Sequence, residues 1–175
     1  MEGRINVSRQ SISFIPYTNV ESLGASYTHV TSLKGVIGNK TKKIVMYHAF
    51  LNSLEGFEDT CGIEYAYLGF NRIYKFRPED KYIPKIDVLD LSGNPITSLE
   101  NCPQCRVLIV SSTLLKDLQG CPDGVEIIRC GHSTHLKSLK GLPRSIKLIE
   151  CSCSPNLKIN KEDLPEDLEE ILTNL

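Results

Sequence analysis

The sequence predicts a solenoid: short strand–turn–return units, stacked so that their strands form one parallel sheet over a continuous apolar core. Three observations predict it. An apolar pattern recurs every 18 to 23 residues along the 175-residue chain. Each copy is too short to bury its own apolar side, so neighbouring copies must do it. No linker, second domain or low-complexity tract is left between copies, which makes 1–175 a single domain of about eight repeats and a truncated ninth.

The most regular unit is "IDVLDLSGNPITSL", 86–99, with apolar residues at Ile86, Leu89, Leu91, Ile96 and Leu99 and Asn94 between them. The same slots recur in "IEYAYLGFNRIYKF", 63–76, as Ile63, Ala66, Leu68, Asn71, Ile73 and Phe76, and in "CRVLIVSSTLLKDL", 105–118, as Cys105, Leu108, Val110, Leu115 and Leu118. Earlier copies supply Ile5 and Val7, Leu23 and Ala25, and Ile44 and Met46. Two later copies, "VEIIRCGHSTHLKSL" and "IKLIECSCSPNLKIN", carry one extra residue, and "LEEILTNL" opens a ninth. With the third apolar slot as marker, the series is Val7, Ala25, Met46, Leu68, Leu91, Val110, Cys130, Cys151 and Thr173, in steps of 18, 21, 22, 23, 19, 20, 21 and 22 residues. Each unit then reads as a short strand with alternating inward side chains, a turn and a return. The amides of Asn71 and Asn94 can hydrogen-bond turn backbone inside the stack, because an amide both donates and accepts. Gln10, Thr28, Ala49 and Thr113 stand there in other copies, so that ladder is incomplete.

Twenty basic residues face 21 acidic ones, for a net charge of −1. This gives no general pull toward nucleic acid or anionic lipid, and neither is expected as a partner. The first ten residues are polar and broken by charge, unlike a signal peptide. No apolar run reaches bilayer-spanning length. With seven cysteines, an odd number, the expected setting is a reducing one, intracellular and cytoplasmic.

Cys102 and Cys105, three apart in "ENCPQCRVL", look like half of a zinc clip. The repeat argues otherwise. Val36, Phe57, Cys102, Cys121 and Leu142 share one slot after "SL" or "DL", and Cys105 holds the first apolar slot of its unit. Cys130 and Cys151 hold the inward strand slot. Free cysteine behaves as a small hydrophobe, so all five are read as core. His132 and Cys153 are different: they stand two residues past the marker on consecutive rungs, about 4.8 Å apart, with His135 nearby. They could hold a soft metal, yet two firm ligands fall short of the usual four. A solvent-facing polar patch is the plainer reading, and no metal or other cofactor is expected.

Outward positions form columns on the concave side. One reads Asn6, Gly24, Val45, Tyr67, Asp90, Ile109, Arg129, Glu150, Leu172; another reads Arg9, Tyr27, His48, Phe70, Gly93, Ser112, His132, Cys153. Tyr47 and Tyr65 lie beside them. Aromatics thus concentrate in units two to four. Tyrosine brings large contact area at low entropy cost, so Tyr27, Tyr47, His48, Tyr65, Tyr67 and Phe70, with Arg129 further along, are the expected protein-binding residues. The ends are thinly capped, with acidic residues of "KEDLPEDLEEILTNL" to blunt the final edge, so a homodimer or a self-assembling structural component is the alternative.

No enzyme signature is present. "GVIGNKTKK", 35–43, lacks the glycine directly before the lysine that a phosphate loop needs and reads as a solvated turn. Glu169 and Glu170 sit in an acidic end and serve solubility.

The repeats resemble the leucine-rich repeat superfamily over nearly the whole chain. The "N-x-I-x-x-L" units are similar to the SDS22-like and internalin-like subclass, and "GLP" and "DLPEDL" to the short bacterial and viral type. The resemblance implies an α/β solenoid, right-handed and curved, with a parallel β-sheet on the concave face and loops or 3₁₀ turns on the convex one. It also implies protein–protein recognition as the commonest use.

Overall fold

The computed structural model describes residues 3–173. Nine strands form one sheet: β1 (Arg4–Asn6), β2 (Ser22–Gly24), β3 (Lys43–Val45), β4 (Tyr65–Tyr67), β5 (Ile86–Asp90), β6 (Cys105–Ile109), β7 (Ile127–Arg129), β8 (Leu148–Glu150) and β9 (Glu170–Leu172). Their order in the sheet is their order in the chain, and every neighbour is parallel. The chain is therefore a parallel β-solenoid, each rung lying on the one before.

The register follows the apolar period residue by residue. Ile5, Leu23, Ile44, Ala66, Leu89, Leu108, Ile128, Ile149 and Ile171 are successive Cα partners across all eight pairings. Side chains alternate along a strand, so a slip of one residue would turn this column to the outside face. From Leu23 to Ile149 every member of the column is fully buried. The end members, Ile5 and Ile171, are only partly covered. Each marker residue from Val7 to Cys151 then donates its N–H to the next rung, as Ala25 N does to Val45 O (2.9 Å), Leu91 N to Ile109 O (2.8 Å) and Cys130 N to Glu150 O (2.8 Å).

No α-helix occurs among the described residues, which corrects the α/β expectation. The returns are loops with three short 3₁₀ turns at Phe57–Asp59, Asp80–Tyr82 and Lys161–Asp163. Two physical reasons account for this. Helices this short are marginal on their own. The returns from the fourth rung onward also carry prolines, among them Pro78, Pro84, Pro103, Pro122, Pro143 and Pro165, which helix interiors do not accept. Among the described residues no helix is long and apolar enough to cross a membrane.

Two polar devices fix the turns. Asn94 Nδ2 donates to Leu68 O (2.9 Å) and Leu91 O (3.0 Å), and its Oδ1 accepts from Ile73 N (3.0 Å). Asn71 does the same one rung earlier, donating to Met46 O and Leu68 O and accepting from Leu51 N. Thr28 and Thr113 reproduce part of this, each hydroxyl donating to the carbonyl three residues back at 2.8 Å. The longest return holds a buried carboxylate, Asp80. It accepts from Arg77 N (2.9 Å), Arg77 Nε (3.0 Å) and Arg77 Nη2 (2.8 Å).

All seven cysteines are free thiols. Cys102, Cys105, Cys121, Cys130 and Cys151 are buried in the core, in the slots other copies fill with aliphatic or aromatic side chains. Burial pushes the Cys105 thiol up to about 12. It also holds Cys102, Cys121, Cys130 and Cys151 above the ordinary thiol range. Such thiols stay protonated and act as packing groups.

Candidate interaction surface

The side chains that alternate with the core column stand on the open face of the sheet. The first open column runs Arg4, Ser22, Lys43, Tyr65, Val88, Val107, Ile127, Leu148, Glu170, and the second Asn6, Gly24, Val45, Tyr67, Asp90, Ile109, Arg129, Glu150, Leu172. Tyr65 and Tyr67 share β4, with ring centroids 6.1 Å apart and planes 13° from parallel. The Lys43 ammonium lies 5.8 Å and 5.7 Å from the two centroids, within range of a cation–π contact with each.

Tyr47 follows the strand but reaches back over the same face. Its ring lies over Gly69, where an added Cβ would come within 2.8 Å of Tyr47 Cε1. The ring stacks at 6.2 Å on Tyr67, and the hydroxyl donates to Asp90 Oδ2 at 2.8 Å. The other Asp90 oxygen accepts from Ser92 N (2.9 Å) and Ser92 Oγ (2.6 Å), so this nearly buried carboxylate is fully engaged. Partial burial, followed by the bond and charge of Asp90, raises the Tyr47 phenol above its ordinary range.

The second aromatic group has a different backbone. Arg9, Tyr27, His48, Phe70, Gly93, Ser112, His132 and Cys153 all have positive φ, between 50° and 66°. This left-handed conformation is uncommon for any residue with a Cβ and costs roughly 1–2 kcal/mol each. It is repeated because the residues from Arg9 to His132 each donate their N–H across to the next rung: Tyr27 N to Tyr47 O (2.8 Å), Phe70 N to Ser92 O (2.7 Å), His132 N to Ser152 O (2.8 Å). Side chains at one column position are then spaced by the strand separation of about 4.8 Å, which suits ring stacking. Tyr27 stacks on His48 at 4.9 Å and 15°, and His48 on Phe70 at 4.6 Å and 7°. The Arg9 guanidinium caps the Tyr27 end at 5.6 Å.

The fold thus brings together all six aromatics expected from the sequence, Tyr27, Tyr47, His48, Tyr65, Tyr67 and Phe70, in two adjoining sets. Arg129 stands apart on β7, three rungs from Tyr67, with its Nε 3.0 Å from Glu150 Oε2. His132 and Cys153 occupy consecutive left-handed positions and are both exposed. No group of three or more His, Cys, Asp or Glu that could hold a metal ion occurs among the described residues.

The sequence reading missed four members of the first open column. Val88, Val107, Ile127 and Leu148 continue the tyrosine patch as an aliphatic run along four rungs. The signal was present: alternation puts these positions on the face of Tyr65, and four apolar residues in a row there are unusual for a solvated face. Charges beside the run are matched to each other. Arg106 clamps Asp87 through two bonds of 2.6 and 3.1 Å, and Lys147 lies 3.5 Å from Glu126. The guanidinium of Arg106 holds the Asp87 carboxyl below its usual range.

No known protein-family model matches the chain, and no curated protein matches it in sequence.

Proposed function

We propose that the chain is a leucine-rich-repeat solenoid, right-handed and curved with its sheet on the concave side, and that it works as a non-enzymatic protein-binding module. The repeat pattern and the asparagine bonds across Asn71 and Asn94 support the family reading. One observation carries the binding reading: exposed Tyr65 and half-buried Tyr67 begin an apolar run on the open face of the sheet that continues through Val88, Val107, Ile127 and Leu148 to the eighth rung, half-buried except at Val107, which is buried. The neighbouring charges are already paired, so a partner would meet apolar area at the centre and polar groups at the rim, the usual composition of a recognition surface. Stacked rings have few rotamers left to lose on binding, which lowers its entropic cost. Arg129 would lie at the rim of that surface. A reducing, cytoplasmic setting fits a chain whose five buried cysteines act as hydrophobes.

The test compares the wild-type chain with a Tyr65→Ala, Tyr67→Ala double variant as bait in the same native extract. The reading expects proteins retained by the wild type to be lost from the variant while its thermal midpoint is unchanged. Identical retention by both baits, or none by either, would count against it.

A further inference from the structure

We infer that the flank of rungs six to eight, where Lys116, Lys137 and Lys158 stand in line, docks a short acidic segment of a partner protein. The three lysines fill one slot of the repeat. Each follows a buried, inward leucine, Leu115, Leu136 or Leu157, and is itself exposed. Backbone bonds hold them in register: Lys137 N donates to Lys116 O at 2.9 Å and Lys158 N to Lys137 O at 3.0 Å. Beside them Asn156 Nδ2 donates to Thr134 O at 2.7 Å and ties the eighth rung to the seventh. Three like charges therefore sit on successive rungs, about 4.8 Å apart at the backbone.

Elsewhere the fold sets opposite charges on successive rungs. Lys34 faces Glu55 at 2.9 Å, Asp87 faces Arg106 at 2.6 Å, Glu126 faces Lys147 at 3.5 Å and Arg129 faces Glu150 at 3.0 Å. Like charges on neighbouring strands repel and lower stability. Among the described residues, none of the three lysines has a carboxylate within ion-pair distance. The carboxylate next in the chain, Asp117, is engaged by Gln119 N (3.0 Å) and Gln119 Nε2 (3.1 Å). The fold gains nothing from such a ladder, whereas carboxylates brought by a partner would relieve the repulsion and pair with it.

The extent of the ladder selects the partner. Tyr74 and Thr97 hold the same slot on the two rungs before Lys116, and the return after Lys158 carries Glu162 and Asp163. The positive strip is thus only about 10 Å long, two strand steps. A long polyanion would run past it onto a chain of net charge −1, while two or three carboxylates of a protein segment would not. Rungs six to eight also carry no Phe, Tyr or Trp on which nucleic-acid bases could stack. Lysine suits carboxylates on an extended segment, being a point charge on a flexible stem that adapts to their spacing. The strip lies off the open face, so it does not rest on the reading of Tyr65 and Tyr67.

The test is fluorescence anisotropy of a labelled hexaglutamate peptide titrated with the full chain. Saturable binding is expected at low salt and its loss at high salt, because exposed charges are screened. The Lys116→Gln, Lys137→Gln, Lys158→Gln chain should bind about tenfold more weakly or worse. Its thermal midpoint should be no lower than that of the wild type, since repulsion is removed. The corresponding triple arginine chain keeps the charge and should bind like wild type. So should a Lys40→Gln, Lys75→Gln, Lys81→Gln chain, which loses as much charge elsewhere, and the Tyr65→Ala, Tyr67→Ala chain, which tests the open face separately. No binding by the wild type, or equal loss in both glutamine chains, overturns the inference. A glutamine ladder variant less stable than wild type also overturns it, by giving the lysines a structural role. Tighter binding of oligothymidylate or of phosphatidylserine vesicles than of hexaglutamate does so too, by assigning the strip to nucleic acid or to a membrane.

Discussion

The ring of Phe70 lies on Gly93: a Cβ built at residue 93 would stand 2.5 Å from Phe70 Cδ1 and 2.7 Å from Cε1. Gly93 is also the one glycine in the column of left-handed residues that carries Tyr27, His48 and Phe70. The stack therefore ends where it does because the next rung offers a bare backbone as its floor. Gly93→Ala would meet both the clash and a φ of +66° that alanine disfavours. A loss of about 1–3 kcal/mol is expected, measurable as a shift in the denaturant midpoint. Weakened near-ultraviolet dichroism from the displaced Phe70–His48 stack should accompany it.

Tyr47 and Asp90 make the other long reach, spanning two rungs over Gly69. Tyr47→Phe removes the hydroxyl and leaves the Asp90 oxygen without that donor, an expected cost of about 1–2 kcal/mol. The bond also has a pH signature. The folded phenol ionises above its ordinary range, while in the unfolded chain it ionises near its ordinary value of about 10. Above that value the unfolded state binds fewer protons, so the stability tied to this group is intact below pH 10 and declines as pH rises further. Tyr47→Phe should flatten that decline in urea unfolding series, and Asp90→Asn should let the Tyr47 phenol ionise earlier in a spectrophotometric titration.

How far the sequence revealed this arrangement differs by feature, for physical reasons. The strand register was legible in full, since the period that marks Val7, Ala25, Met46 and their equivalents is the rung repeat itself. Burial of Cys102 and Cys105 followed from the same alignment. The left-handed column was not legible: Tyr27, His48, Phe70 and Cys153 carry none of the glycine or asparagine signal of positive φ. The conformation is imposed by hydrogen bonds from the neighbouring rung, which local propensity does not encode. The Arg77–Asp80 clamp was hidden for a related reason, lying in the longest and least repetitive return. Val88, Val107, Ile127 and Leu148 were legible too, since alternation along each strand puts them in the column of Tyr65.

Thiol accessibility gives a direct check on the core. Cys61 and Cys153 are exposed and the other five cysteines are buried. A small maleimide or disulfide reagent should modify two thiols quickly in the native chain and all seven once it is unfolded. Cys102 and Cys105 should react together with global unfolding, and added zinc should protect neither pair member in the native state. Rapid native labelling of either residue would show that the core side of rungs five and six is open.

Thr41 stands in the inward column with Ile63, Ile86 and Cys105, fully buried, and its Oγ1 has no hydrogen-bond partner. A hydroxyl taken out of water without a partner costs free energy that an isosteric methyl would not. Thr41→Val keeps the shape and the β-branched preference for extended backbone, so it should raise stability by about 1–2 kcal/mol. Thr41→Ala removes the same hydroxyl but also leaves a methyl-sized void, which should offset most of the gain. Thr41→Ser keeps the unpartnered hydroxyl and loses the methyl, so it should be the least stable of the three. The order Val, then Ala, then Ser in chemical denaturation would place the penalty on the hydroxyl, whereas a valine variant weaker than wild type would mean that Oγ1 bonds in solution.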